Sequence, residues 1–156
     1  MTADSLREPV TLTLSDGSAV CLRPIRPDDA ERLQVFHTRL SPNSIYLRWL
    51  AAHPVLSAEE ARQLSDLDYV TRMAFVATTG AGETEQIVGV ARYGLIRPDE
   101  AESAVIVEDA YQSRGLGWAL LGRLMRYSRA MGVTTWVAEI NAGNARMLRF
   151  IERGGL

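Results

Sequence analysis

Residues 111–121, YQSRGLGWALL, decide how this chain is read. An apolar run precedes them and an amphipathic run follows. Gly115 and Gly117 stand where a strand gives way to a helix, after the polar triplet Gln112, Ser113 and Arg114. A helix N-terminus offers unpaired N–H groups and the positive end of the helix dipole, so a glycine-bearing turn there suits a phosphate. The competing explanation is steric. Two glycines also relieve crowding in a tight strand-to-helix turn, and short glycine motifs recur by chance. A dinucleotide-binding turn fits poorly. It needs a third small residue where Leu120 stands, and it belongs to an early strand rather than a late one. A P-loop is excluded because the chain has no lysine; all 17 of its Lys and Arg residues are arginine.

The segments around this turn alternate in period. Before it, MAFVATT (73–79), QIVGVARYGLI (86–96) and AESAVIV (101–107) read as strands, the first two joined as a hairpin. After it, a helix is predicted from about 113 to 131, with Trp118, Leu121, Leu124 and Met125 on one face and Gly132 as its stop. VTTWVAEI (133–140) is the next strand and NAGNARMLRFIERGG (141–155) a last helix. Towards the N-terminus, alternating apolar residues flank Asp16-Gly17, which predicts a hairpin over 10–22. RPDDAERLQVFHTRL is a helix with Asp28 or Asp29 as N-cap and Leu33, Phe36 and Leu40 on one face. Ser41-Pro42 opens a short helix, and Ser57 with Glu60 forms a capping box for another. Residues 1–9 read as a disordered tail and 10–156 as a single domain. The order of elements is α+β with one late parallel crossover.

The chain has 156 residues, 47% of them apolar, and a formal net charge of −2. That is enough for one domain with a core, and it gives no basic field for nucleic acid. One cysteine, Cys21, and two histidines, His37 and His53, make neither a disulfide nor a plausible zinc set. No apolar run approaches membrane-spanning length, and the N-terminus lacks the apolar core of a signal peptide, so a cytoplasmic protein is expected.

The residues flanking the glycines fit Q-x-x-G-x-G at Gln112, Gly115 and Gly117, between a strand and a helix. This resembles the coenzyme A-binding motif of the GNAT acyltransferase superfamily, and the order of elements along the chain is similar as well. The resemblance implies a mixed, mostly antiparallel sheet flanked by helices, with acetyl-CoA as co-substrate. It implies that the backbone of Gln112, Ser113, Arg114, Gly115, Leu116, Gly117 and Trp118 cradles the pyrophosphate. Arg114 either adds charge there or is a solvated arginine. Asn144 stands at the place of an asparagine that contacts the CoA arm, with Asn141 nearby; capping and turn chemistry is the alternative for both. An N–H within Val105, Ile106 and Val107 is expected to polarise the thioester carbonyl.

More narrowly, DGSAVCLRPIRPDDAERLQVFHTRLSPNSIYLRWL and AESAVIVEDAYQSRGLG resemble the bacterial domains that acetylate lysines of acyl-CoA synthetases. Glu102 in AESA matches that subgroup's catalytic glutamate. On a strand it shares a face with Ala104 and Ile106, an apolar setting that would favour a base active near neutrality. The alternative is an edge glutamate pointing to solvent. No tyrosine stands in the last helix to protonate the leaving thiolate, where the chain has Met147, Leu148 and Phe150. Tyr46, Arg48 and Trp49 fall where the family shapes its acceptor site, although packing on the sheet is the simpler role for Trp49; His37 reads as structural. The family continues beyond its last helix with a β-hairpin, and the sequence stops at ERGGL, which implies either a truncated chain or an unusual member. The expected activity is acetyl transfer to an amine, either a protein lysine or a small amine or amino acid; a non-catalytic acyl-CoA sensor is the third possibility. No metal is implied.

Overall fold

The computed structural model describes residues 2–49, 53 and 55–137, with the backbone alone for 46–49. Six strands form one sheet in chain order: β1 (Val10–Thr13), β2 (Ala19–Pro24), β3 (Arg72–Thr79), β4 (Gln86–Arg97), β5 (Glu100–Val107) and β6 (Thr135–Val137). Neighbours are antiparallel except β5 and β6, which run parallel. The parallel pair needs a crossover, and α5 (Leu116–Ala130) supplies it.

β3 and β4 lie in the middle of the sheet and are buried on both faces, so they read as near-continuous apolar runs. One face packs against α5, whose Leu116, Leu120, Leu124 and Tyr127 recur at helical spacing and are at most 1% exposed. The other face packs against α2 (Ala30–Thr38) and α4 (Ala58–Ser65) through Leu33, Phe36, Ala61, Ala74, Val76 and Val90. α3 (Pro42–Trp49) joins those two helices at the end of β5. The capping box of α4 forms as its sequence predicts: Glu60 N donates to Ser57 Oγ at 3.1 Å, and Ser57 N to Glu60 Oε1 at 3.2 Å.

Two expectations change. The N-terminal segment, polar enough to suggest a disordered tail, folds back as α1 (Ala3–Leu6) against α5. Leu6 is fully buried, Arg7 Nη2 donates to the Tyr127 hydroxyl at 3.0 Å, and Arg123 Nη2 donates to the Glu8 carbonyl at 2.7 Å. A single apolar residue held by two long-range polar contacts leaves no periodic signal in a sequence. Asp29 stands at the N-cap of α2, as one of the two expected candidates, but makes no capping bond with its side chain: its carboxylate turns inward to Arg23, accepting from both terminal nitrogens at 2.8 Å. The later part of the predicted strand 133–140 and the last helix lie outside the described residues, as do Asn141, Asn144 and the chain end.

Candidate active site

The site is built at the end of β5, where the strand runs into the glycine turn. The β4–β5 register pairs Val90 with Ile106, Arg92 with Ala104 and Gly94 with Glu102. Glu108 N donates to the Val88 carbonyl at 2.9 Å, which fixes which residues turn their peptide groups toward β4. In an antiparallel ladder these alternate, so Glu102, Ala104 and Ile106 bond to β4 while Ser103, Val105 and Val107 turn their N–H and C=O groups to the other edge. β6 covers that edge only at its start: among the described residues, pairing ends at Glu102 opposite Val137. The N–H groups of Val105 and Val107 therefore face away from β4, whereas the N–H of Ile106 is directed into the β4–β5 ladder.

The turn that follows is held from three sides. Gln112 Nε2 donates to the outward carbonyl of Val107 at 2.9 Å and approaches Ser44 Oγ at 3.3 Å. Asp109 Oδ1 accepts from Ser41 N at 3.2 Å and Ser44 Oγ at 3.1 Å, tying the turn to the start of α3. Burial opposes the charge of Asp109, but the hydrogen bonds from Ser41 and Ser44 outweigh it and hold its carboxyl below the ordinary carboxylate range. Arg39 bridges Glu108 Oε1 at 2.9 Å and the Ile87 carbonyl at 2.6 Å. The contacts that Ser41, Ser44, Arg39 and Asp109 make around the turn are not legible in the sequence, because they exist only in three dimensions.

Ser113 and Gly115 both adopt left-handed backbone, with φ of 62° and 89°. Gly115 is the N-cap of α5 and brings no side chain to the first-turn N–H groups. A Cβ built on it meets nothing within 4 Å, so conformation, not crowding, selects glycine here. The crowding explanation therefore does not hold for Gly115. Leu116 is buried under the sheet and leaves only its backbone to a ligand. Arg114 is already engaged: its Nη1 lies 2.6 Å from Asp16 Oδ2 at the tip of the β1–β2 hairpin, and its guanidinium stacks 5.5 Å from the Tyr111 ring centre.

Glu102 is exposed. Among the described residues its cross-strand neighbours are Gly94 on β4, which adds no surface, and Val137 on β6, and the apolar enclosure expected around it does not form. Ala104 and Ile106 do face apolar surroundings, lining a cavity with Leu33, Phe36, Leu40 and Leu64. Arg92 and His37 close the polar side of that cavity. His37 is buried, with its Nε2 2.5 Å from the His53 carbonyl, which suits the structural role read for it. The side chains of Tyr46, Arg48 and Trp49 lie outside the described residues. Among the described residues no group of His, Cys, Asp and Glu could hold a metal ion, and no helix is long and apolar enough to cross a membrane.

An outward strand edge leading to a glycine-led helix N-terminus suits a co-substrate with an extended amide arm and an anionic head. The chain belongs to the family described as Acetyltransferase (GNAT) domain, which matches residues 19–156, and it is an N-acetyltransferase. Acetyltransferase PA5475 of Pseudomonas aeruginosa is 35% identical over 136 residues, spanning 86% of this chain and 73% of that protein. Acetyltransferase Pat of Mycolicibacterium smegmatis is 28% identical over 151 residues; these are 94% of this chain but 44% of that longer protein. The crystal structure of the GNAT domain of S. lividans PAT superposes with a TM-score of 0.86 at 33% identity, covering 94% of this chain and 86% of that one. Members of this family use acetyl-CoA.

The turn makes a direct prediction. Gly117→Val should weaken acetyl-CoA binding by about tenfold or more, equivalent to about 1.4 kcal/mol, because a branched side chain would obstruct approach to the first-turn N–H groups. Helix propensity favours valine over glycine, so the fold should persist. Calorimetric titration of the folded variant checks this, and unchanged affinity would remove the turn from the binding site.

Proposed function

We propose that this chain transfers the acetyl group of acetyl-CoA to a lysine side chain of a protein, with an acyl-CoA synthetase as the acceptor. The supporting observation is the position of Glu102: exposed on the face that carries α2 and α4, one residue along β5 from Ser103, whose peptide groups turn away from β4. A carboxylate so placed is accessible to a lysine presented by a folded partner. The family resemblance of AESA points the same way.

In this reading the N–H groups of Val105 and Val107 bind the arm and the thioester carbonyl, and the turn from Gln112 to Trp118 takes the pyrophosphate. The acceptor nitrogen attacks the carbonyl carbon and the C–N bond forms. Charge developing on the oxygen is met by an outward N–H of β5. Before the attack Glu102 takes a proton from the acceptor ammonium, directly or through water; the C–S bond then breaks, coenzyme A leaves as thiolate, and the second nitrogen proton passes to water. Solvent supplies the thiolate proton. Glu102 must act because a lysine amine, with an ordinary pKa of about 10.4, is almost wholly protonated near neutrality.

Mass spectrometry of an acyl-CoA synthetase incubated with this protein and acetyl-CoA tests the proposal. The expected product is acetylated at the synthetase active-site lysine, formed with a higher kcat/KM than any free amine or amino acid. The readout is clean because this chain has no lysine to modify. A higher kcat/KM for a polyamine or amino acid would replace the protein acceptor with a small one. An absence of coenzyme A release with every amine tested would leave only the sensor reading.

A further inference from the structure

Gly94 has no evident reason to be glycine. Its backbone is not left-handed, and it sits in the regular part of β4, directly opposite Glu102. A Cβ built on it would meet nothing closer than Arg72 Cγ at 4.0 Å, which is ordinary contact distance. Strand interiors disfavour glycine, which has no side chain to pack and loses the most freedom on folding. Packing and conformation would both accept a larger residue at this position.

The missing side chain has one consequence. Arg72, Gly94 and Glu102 occupy one row across β3, β4 and β5, on the face that carries α2 and α4. Opposed residues in such a row bring their Cβ atoms to about 5 Å, so any side chain at position 94 would stand against the Glu102 carboxylate. Glycine leaves a slot there. The next row, Arg92 with Ala104, lines the apolar cavity, so the slot and the cavity are adjacent along the strands. On the far side, Arg72 Nη2 donates to the Gln63 carbonyl at 3.3 Å, which draws its guanidinium toward α4. That guanidinium makes no ion pair among the described residues, so its charge repels a cationic amine from the β3 side and directs it to Glu102.

We propose that Gly94 is a specificity-determining residue of the acceptor site, the floor of a slot in which the unbranched stem of the acceptor amine lies while its nitrogen reaches Glu102. This rests on the reading of Glu102 as the base. It adds that access to that base is controlled from β4, by the absence of a side chain.

The test is the series Gly94→Ala, Gly94→Val and Gly94→Leu, assayed with whichever amine the native chain turns over fastest. Acetyl-CoA affinity and melting temperature should stay at native values, since the variants touch neither the glycine turn nor the core. kcat/KM for the acceptor should fall as the side chain grows, by at least tenfold at valine, mainly through acceptor KM. Gly94→Ala keeps the series informative should leucine or valine prevent folding, and a loss of about threefold is expected there. Folded variants with native acceptor kcat/KM would overturn the proposal, as would a loss confined to acetyl-CoA affinity. A native chain that prefers a free amine would count against the protein-lysine reading and leave this series fully decisive.

Discussion

Replacing Glu102 with glutamine should leave acetyl-CoA affinity near its native value and lower turnover by about 10²- to 10⁴-fold, the usual contribution of a general base. Glutamine keeps the shape and the strand position but cannot take a proton. The defect should shrink as pH rises. Below the amine pKa of about 10.4 the neutral fraction of a lysine acceptor grows tenfold per pH unit, so less of the reaction depends on a base. Stopped assays across pH 7 to 10, with acetyl-CoA affinity measured in parallel, separate this outcome from a binding defect. Native turnover throughout would make Glu102 an edge residue of the strand, and the sensing alternative would then explain the chain better.

The exposure of Glu102 shows where sequence patterning stops. Period-two alternation correctly places residues 102, 104 and 106 on one face, but it says nothing about what stands opposite. The cross-strand partner is fixed by the β4–β5 register, and a glycine at 94 between Tyr93 and Leu95 resembles any other strand glycine. The glycine turn was legible because its requirement is local: left-handed backbone at Gly115 and a helix beginning at Leu116 follow from neighbouring residues. The place of Gln112 in the turn is legible in the sequence, and its contact is not. Its side chain holds the end of β5 by donating to Val107, which keeps the outward edge and the turn in fixed relation. Within Val105 to Val107, only the ladder separates the two outward amides from the inward one.

Asp29→Ala should destabilise the fold by about 3 kcal/mol, within the range found when one partner of a buried ion pair is removed. Asp29 is fully buried and Arg23 is 5% exposed. The Asp29 carboxylate accepts two bonds from Arg23, one from Arg26 N at 2.8 Å and one from Arg32 at 3.0 Å. Without it the Arg23 guanidinium keeps Glu85, 3.2 Å away, as its remaining carboxylate partner. That second partner is why the lower end of the range is expected. Burial opposes the charge on Asp29, but the bonds from Arg23 and the Arg26 N–H outweigh it, so its pKa in the folded chain lies below the ordinary 3.8. The stabilisation is therefore complete above that value and is lost as pH falls below it toward the folded pKa. Urea denaturation of native chain and variant at pH 7 and pH 3 checks both parts: the gap between them should be wide at pH 7 and narrower at pH 3. Replacing Arg23 and Asp29 together with apolar residues should recover much of the loss, since neither charge is then left unpaired in the interior. A loss below about 1 kcal/mol at pH 7 would place this pair with ordinary surface ion pairs. Because the brace acts on the start of α2, and so on the wall of the cavity beside the Glu102 row, the folded fraction of the variant should keep native acetyl-CoA affinity while losing thermal stability.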